Sequence, residues 1–509
     1  MLFSIRSHRF FVCLIASLIV MLSAADALAQ NSRRPRHRRR PIPKQTQPPK
    51  PTTPTTPTTP TTPTTPTTPT SSPSNTPVTT PPAQPTNTIV VPVLEPSPFL
   101  KRAQPQRWTL TAAYDISATQ FYTSVDKTPV PAHDKWAFDS ATFVFPVVPA
   151  TASSVLEVFG HGEKQIPAVK GTVTFDGKRV ASKPEFVTQG IGGGPLPSGT
   201  WRAQWIVPPP PKGSYTPRNI RFEIATSMVS SDTVFDDRAA SKIDWPKGPW
   251  PPEAQATFEP QMFVEMDITG KGYNMAPVKA LVKKWTQGKD PHMLKPVVLA
   301  KFLAGQVVNH SQINGEGLAY DSTGMWQGFL TPGAANLART GMGTKIDLPC
   351  LLVAAYREVG LPARIVIGYD DEGEPGEKIY LKAQGSDQAW RVWAEFALYD
   401  EAKQTFSWVP VDVTAMRIQQ SQMPRNYLNK PLKYFGTNDE FEHVAPIAFH
   451  FHPPTTVRAY GSPSLWGWFV TPAPPGRAAQ RVKFTLTNTS RGSRNDSHLP
   501  DPVKETPKP

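Results

Sequence analysis

Arg357-Glu358-Val359-Gly360-Leu361-Pro362-Ala363-Arg364-Ile365-Val366-Ile367-Gly368-Tyr369 is the stretch that decides the fold. Upstream of it, Leu351, Leu352, Ala355 and Val359 recur on one helical face, which predicts a helix over about 347–358. That helix must end before Gly360 and Pro362, because proline cannot continue it. The β-branched run Ile365-Val366-Ile367 then starts a strand. Two more strands are expected at Ala389–Leu398 and Phe406–Val411.

Further upstream the pattern stays helical. Val278, Leu281, Val282 and Trp285 share a face, with Asn274 as N-cap and Gly288 as stop. A second helix is expected over about Leu294–Val308, with Pro296 tolerated in its first turn. A polar loop with Trp326 leads to Gly333–Arg339. Helices followed by strands define an α+β class.

Residues from about 275 to 415 resemble the transglutaminase-like core, a papain-like cysteine acyltransferase fold. Three motifs carry the resemblance. Gly343-x-Lys345 opens the helix that ends in the stretch quoted above. Arg391-Val392-Trp393-Ala394-Glu395-Phe396 is similar to the family's His-x-Trp-x-Glu strand. Trp408-Val409-Pro410-Val411-Asp412-Val413-Thr414 is similar to its closing Trp-x-x-x-Asp-x-Thr strand. The resemblance implies a Cys–His–Asp triad at positions 345, 391 and 412, and only Asp412 is of the expected type. Aligning Gln388-Ala389-Trp390 with the His motif still supplies no histidine.

Thiol acyl transfer needs a strong nucleophile and an imidazole that takes and returns a proton near neutral pH. Arginine stays protonated and cannot be that base. A lysine becomes nucleophilic only with a strongly lowered pKa. Lys345, Arg391 and Asp412 therefore read as a degenerate triad of net charge +1. Such a cluster either closes on itself as an ion-pair network or takes a carboxylate-bearing peptide or glycan. The implied function is non-catalytic: binding or scaffolding at the cell envelope or outside the cell, with a peptide or cell-wall ligand. The alternative is an active acyltransferase or cysteine-type peptidase using Cys350 or Lys345. Cys350 is expected in the helix-packing layer, although Pro349 allows the helix to start there and put Cys350 in its first turn, where thiolates are favoured.

The flanks complete the organisation of the 509-residue chain. Arg6 and Arg9, the apolar run Phe10–Leu22 and Ala27-Leu28-Ala29 form a signal peptide over 1–29, so the protein is expected to be secreted or periplasmic, with a retained signal anchor as the alternative. Residues 30–88 are a basic, then Pro/Thr-rich spacer. The 31–50 stretch alone contributes +8 of the net +14, and Pro recurs every third residue from Pro51 to Pro69. Residues 31–88 hold 17 Pro and no aromatic residue, so they cannot form a core. The basic tail suits an anionic surface. Export, and the lack of aromatics among the arginines, argue against nucleic acid.

Residues 89–270 read as a β-sandwich-like domain, 271–415 as the transglutaminase-like domain, 416–490 as a β-rich C-terminal extension and 491–509 as a disordered tail. The fold expected is thus α+β, with the core preceded by the sandwich and followed by additional strands. No cofactor or metal is implied. The Ile191–Gly194 loop lacks the ending of a phosphate loop. His443, His450 and His452 lack further converging ligands, and the Asp370–Glu377 turn misses the calcium-loop spacing. Two cysteines, one of them Cys13 in the signal, exclude a disulfide scaffold and Cys-rich metal sites.

Overall fold

The computed structural model describes residues 89–90, 97–118, 139–159, 166–180, 184–187, 201–209, 219–267, 271–320, 326–370, 389–419, 433–449, 455–456, 467–471 and 478–490. All fall within one compact unit spanning 82–509. The signal peptide, basic cluster, spacer, Ile191–Gly194 loop, acidic turn beyond Asp370, His450, His452 and tail 491–509 lie outside the described residues.

The first half of the chain supplies β1 (Leu100–Ala118), β2 (Ser140–Val147), β3 (Ser154–Leu156), β4 (Val169–Phe175), β5 (Lys178–Val180), β6 (Glu185–Val187), β7 (Trp201–Val207) and β8 (Asn219–Phe235). Helices α1 (Ala276–Trp285), α2 (Pro296–His310), α3 (Ala334–Thr340) and α4 (Asp347–Glu358) follow. Then come β9 (Ala363–Asp370), β10 (Ala389–Asp400), β11 (Thr405–Val411), α5 (Val413–Gln419) and β12 (Ala445–Ala448). The described chain closes on β13 (Thr455–Thr456), β14 (Gly467–Thr471) and β15 (Ala478–Asn488).

Two sheets form the sandwich, ordered β13-β14-β2-β7-β6 and β15-β1-β8-β4-β5, with β3 also on β8. The alternation in β8 buries Ile220, Phe222, Ile224 and Met228. Between the sheets, Phe143 stacks on Phe222 at 4.6 Å and Trp205 meets the same ring edge-on at 4.9 Å. Gly171 is required here, since a Cβ would come within 2.4 Å of the Trp205 indole.

Strands beyond residue 416 do not form a layer of their own. β15 pairs with β1 from Trp108↔Asn488 to Ala118↔Ala478, and β14 pairs with β2. β12 joins β9 at Ile367↔Ala448. Without them β1, β2 and β9 would each present an open edge, and pairing removes that exposure.

The core sheet runs β11-β10-β9-β12, all antiparallel. Helix α4 packs on β9 and β10 and against α1, α2 and α3. Its residues Asp347 to Tyr356 are all buried, as befits a central helix enclosed on every side. The stretch quoted first ends it as the residues require. Gly360 is left-handed (φ +77°), the Leu361 N–H bonds to Tyr356 O (2.9 Å) and the Gly360 N–H to Arg357 O (3.0 Å), a Schellman closure. At α1, Asn274 lies one residue before the cap position, yet its Oδ1 still accepts from Ala276 N at 3.0 Å. No helix among the described residues is long and apolar enough to cross a membrane.

Candidate functional site: a buried arginine network

Asp412 stands between β11 and α5. Its Oδ1 caps the helix by accepting from Ala415 N (2.9 Å), and its own N–H donates to Tyr434 O (2.9 Å). Oδ2 accepts from Arg391 Nε at 2.8 Å. Arg391 enters from β10, opposite Gly368 of β9, and is 1% exposed. Its Nη2 donates to Glu440 Oε2 (2.9 Å), and its guanidinium lies 5.1 Å from the Phe441 ring. The second Glu440 oxygen accepts from Tyr434 Oη at 2.8 Å. Burial pushes the Asp412 carboxyl up, while Arg391 and the Ala415 N–H pull it back toward the charged form. Burial, with Glu440 as acceptor, raises the Tyr434 phenol, which keeps it a donor.

Lys345 reaches the same corner by its main chain, since its carbonyl accepts from Thr414 Oγ1 at 2.8 Å. Its ammonium ion-pairs with Glu316 at 2.8 Å. The structure thus joins Arg391 to Asp412 as the sequence suggests, and adds a carboxylate to each cation. With Glu316 and Glu440 counted, the expected net +1 becomes two cations against three carboxylates. Neither glutamate was found from sequence, because neither sits in a motif. The only trace of Glu440 is the acidic run Asp439-Glu440-Phe441-Glu442.

Cys350 is the fourth residue of α4, within its first turn, and is fully buried. The position favours a thiolate, but the surroundings do not. Burial pushes the thiol well up, and the Asp347 and Glu265 carboxylates add to that rise. Asp347 is itself held by the N–H groups of Gly333 and Thr344, both at 2.7 Å. Glu265 pairs with Arg357 at 2.7 Å. The three described histidines are bonded elsewhere: His292 to Val359 O, His310 to Leu337 O and Ala338 O, and His443 to Glu442.

The remaining motif residues form a second buried pair. Arg364 binds Glu395 through Nε (2.9 Å) and Nη2 (2.8 Å), and its guanidinium is sandwiched 4.1 Å from both Trp408 and Phe449. Glu395 Oε1 accepts from Ala152 N at 2.8 Å, which ties the core to the sandwich.

Residues 280–413 match the family described as the Transglutaminase-like superfamily, and they form a transglutaminase-like core. Two solved structures are similar over much of the chain. One is described as "a Putative Cysteine Protease from Cytophaga hutchinsonii", with 11% identity, 77% of this chain and 93% of that chain covered, and a TM-score of 0.39. The other is described as "a putative protease from Parabacteroides distasonis", with 10% identity, 68% and 70% covered, and a TM-score of 0.19. No curated protein matches the chain.

Proposed function

We propose that this is an exported, non-catalytic transglutaminase-like protein that binds or scaffolds at the cell envelope or outside the cell. The observation that carries the reading is Arg391 at the position of the family's base. A guanidinium cannot take a proton at neutral pH, and here two of its nitrogens are committed to Asp412 and Glu440. Lys345, at the nucleophile position, has its side-chain nitrogen in an ion pair with Glu316 at 2.8 Å. The sequence features that support export are the basic start, apolar run and Ala-x-Ala end of residues 1–29. The alternative nucleophile Cys350 has its thiol pushed up by burial, which disfavours the reactive form.

The test is turnover of a glutamine-donor and primary-amine pair, and of an unstructured protein substrate, by the purified wild type. No product above the buffer rate is expected. Amine incorporation or cleavage that Cys350→Ala abolishes would overturn the reading.

A further inference from the structure

The connection between α1 and α2 holds apolar side chains out in solvent. Met293 is 77% exposed, more than any other large apolar residue among the described ones, and Leu294 and Val298 beside it are exposed as well. The loop is pinned, so this is not a fraying end. The Met293 N–H donates to Asp290 O (3.2 Å) and the Leu294 N–H to Pro291 O (3.1 Å). His292 stacks on Trp245 at 4.2 Å, and its Nε2 donates to Val359 O at 2.9 Å. Trp245 Nε1 in turn donates to Leu294 O at 2.7 Å.

The charge around this loop has one prevailing sign. Residues 271–310 hold seven Lys and a single acid, Asp290. Lys295 is matched by Asp244 and Lys301 by Asp237. Lys279 has only Glu358, at 3.9 Å. Lys283, Lys284 and Lys289 are exposed and form no ion pair among the described residues, which leaves Asp290 as the one acid against three cations. Lys279 and His292 both reach the end of α4, at Glu358 and Val359, so the basic face of α1 adjoins the exposed loop. Lys283 follows Lys279 by one turn on that face.

Projecting apolar side chains beside unmatched lysines suit a lipid surface better than a shaped pocket. Ammonium groups on flexible stems meet anionic headgroups without fixed geometry, while a methionine and a leucine can enter the acyl boundary.

We propose that the α1–α2 loop docks the folded body on an anionic lipid surface, with Lys283, Lys284 and Lys289 at the headgroups and Met293 and Leu294 inserted. This contact is separate in sequence from the basic cluster at 33–40 and does not require the arginine network to be inactive.

The test uses the full chain on vesicles of equal parts phosphatidylcholine and phosphatidylglycerol, with lysine acetylation mapped by mass spectrometry. On the vesicles Lys283, Lys284 and Lys289 should be acetylated about fivefold or more slowly, while Lys483 on β15 keeps its rate. Lys283→Gln, Lys284→Gln and Lys289→Gln together should weaken vesicle binding about tenfold or more. Met293→Ser with Leu294→Ser should weaken it about threefold or more. Both variants should keep the wild-type melting temperature. Unchanged acetylation of the three lysines on bound protein would leave the contact to the basic cluster and overturn the proposal. So would no binding, equal binding to phosphatidylcholine alone, or affinity untouched by the lysine variant. Equal protection of the three lysines by soluble polyglutamate would also overturn it, by making the face a general polyanion site.

Discussion

Strand β10 contributes to two buried arginine–carboxylate pairs, through Arg391 near its start and Glu395 at its middle, and the two are built differently. Arg364–Glu395 is the more enclosed: the carboxylate is fully buried, accepts from Arg364 and from a main-chain N–H, and the cation is roofed by two aromatic faces, with Glu253 at 3.5 Å as its outer contact. Arg391–Asp412 is buried too, but it continues outward through Glu440, which is 24% exposed, toward Lys433 at 3.7 Å. The first pair fixes geometry between sandwich and core. The second occupies the corner where the degenerate triad positions meet and has a route to solvent. A buried pair loses most when one partner is left charged with no means of relief, so the two should respond unequally to truncation.

Glu395→Ala should be the most damaging change, costing about 3–5 kcal/mol in denaturant unfolding, since buried Arg364 would keep only the longer contact to Glu253 and the Ala152 N–H would lose its acceptor. Arg391→Met should cost less, about 2–3 kcal/mol, because Glu440 can turn to water and Asp412 keeps its Ala415 N–H. A loss from Arg391→Met equal to that from Glu395→Ala would erase the distinction between the more enclosed pair and the open one.

The open side continues to a carboxylate pair that pH can probe. Asp232 on β8 is buried, accepts from Glu442 N at 3.4 Å, and is pushed up to about 7 by burial and by the Glu442 carboxylate. Burial pushes Glu442 up as well, but His443 and Asp232 hold it at about 2. Above pH 5, Glu442 is therefore ionised in both folded and unfolded chains and contributes no slope. Asp232 binds its proton more tightly when folded, so its contribution is full below about pH 4 and is lost as pH rises through about 7. The wild type should lose stability relative to Asp232→Asn between pH 5 and 8. Parallel stability curves would show that the carboxylates do not share a proton.

The smallest effect should come from Cys350→Ala, about 1 kcal/mol for a lost buried sulfur. Lys345→Cys with Arg391→His, assayed together, should regain at most weak amine incorporation, and neither single change should do so. Activity from Lys345→Cys alone would mean that another group serves as base.

Much of this was legible because it is local. The 3.6-residue period and the Gly360–Pro362 punctuation set α4 at its observed ends and β9 to within two residues, since the strand starts at Ala363 rather than Ile365, and motif spacing put Arg391 beside Asp412. What stayed hidden depends on distant chain. β15 reaches β1 across more than 350 residues, and nothing in either strand names its partner. Glu316 and Glu440 neutralise the corner from loops with no fixed spacing to the motifs. Cys350 shows the limit most clearly: it is expected in the helix-packing layer with a first-turn thiol as the alternative, and Asp347 and Glu265, which act against that alternative, converge only in three dimensions.

The most direct test of the central claim is the rate at which iodoacetamide alkylates Cys350 in the native protein, followed by peptide mapping from pH 5 to 9. A buried thiol raised above its usual range predicts labelling that is negligible across that span and becomes rapid only on unfolding. Fast labelling of the folded protein, with a midpoint below pH 7, would reveal an activated thiolate and contradict the account.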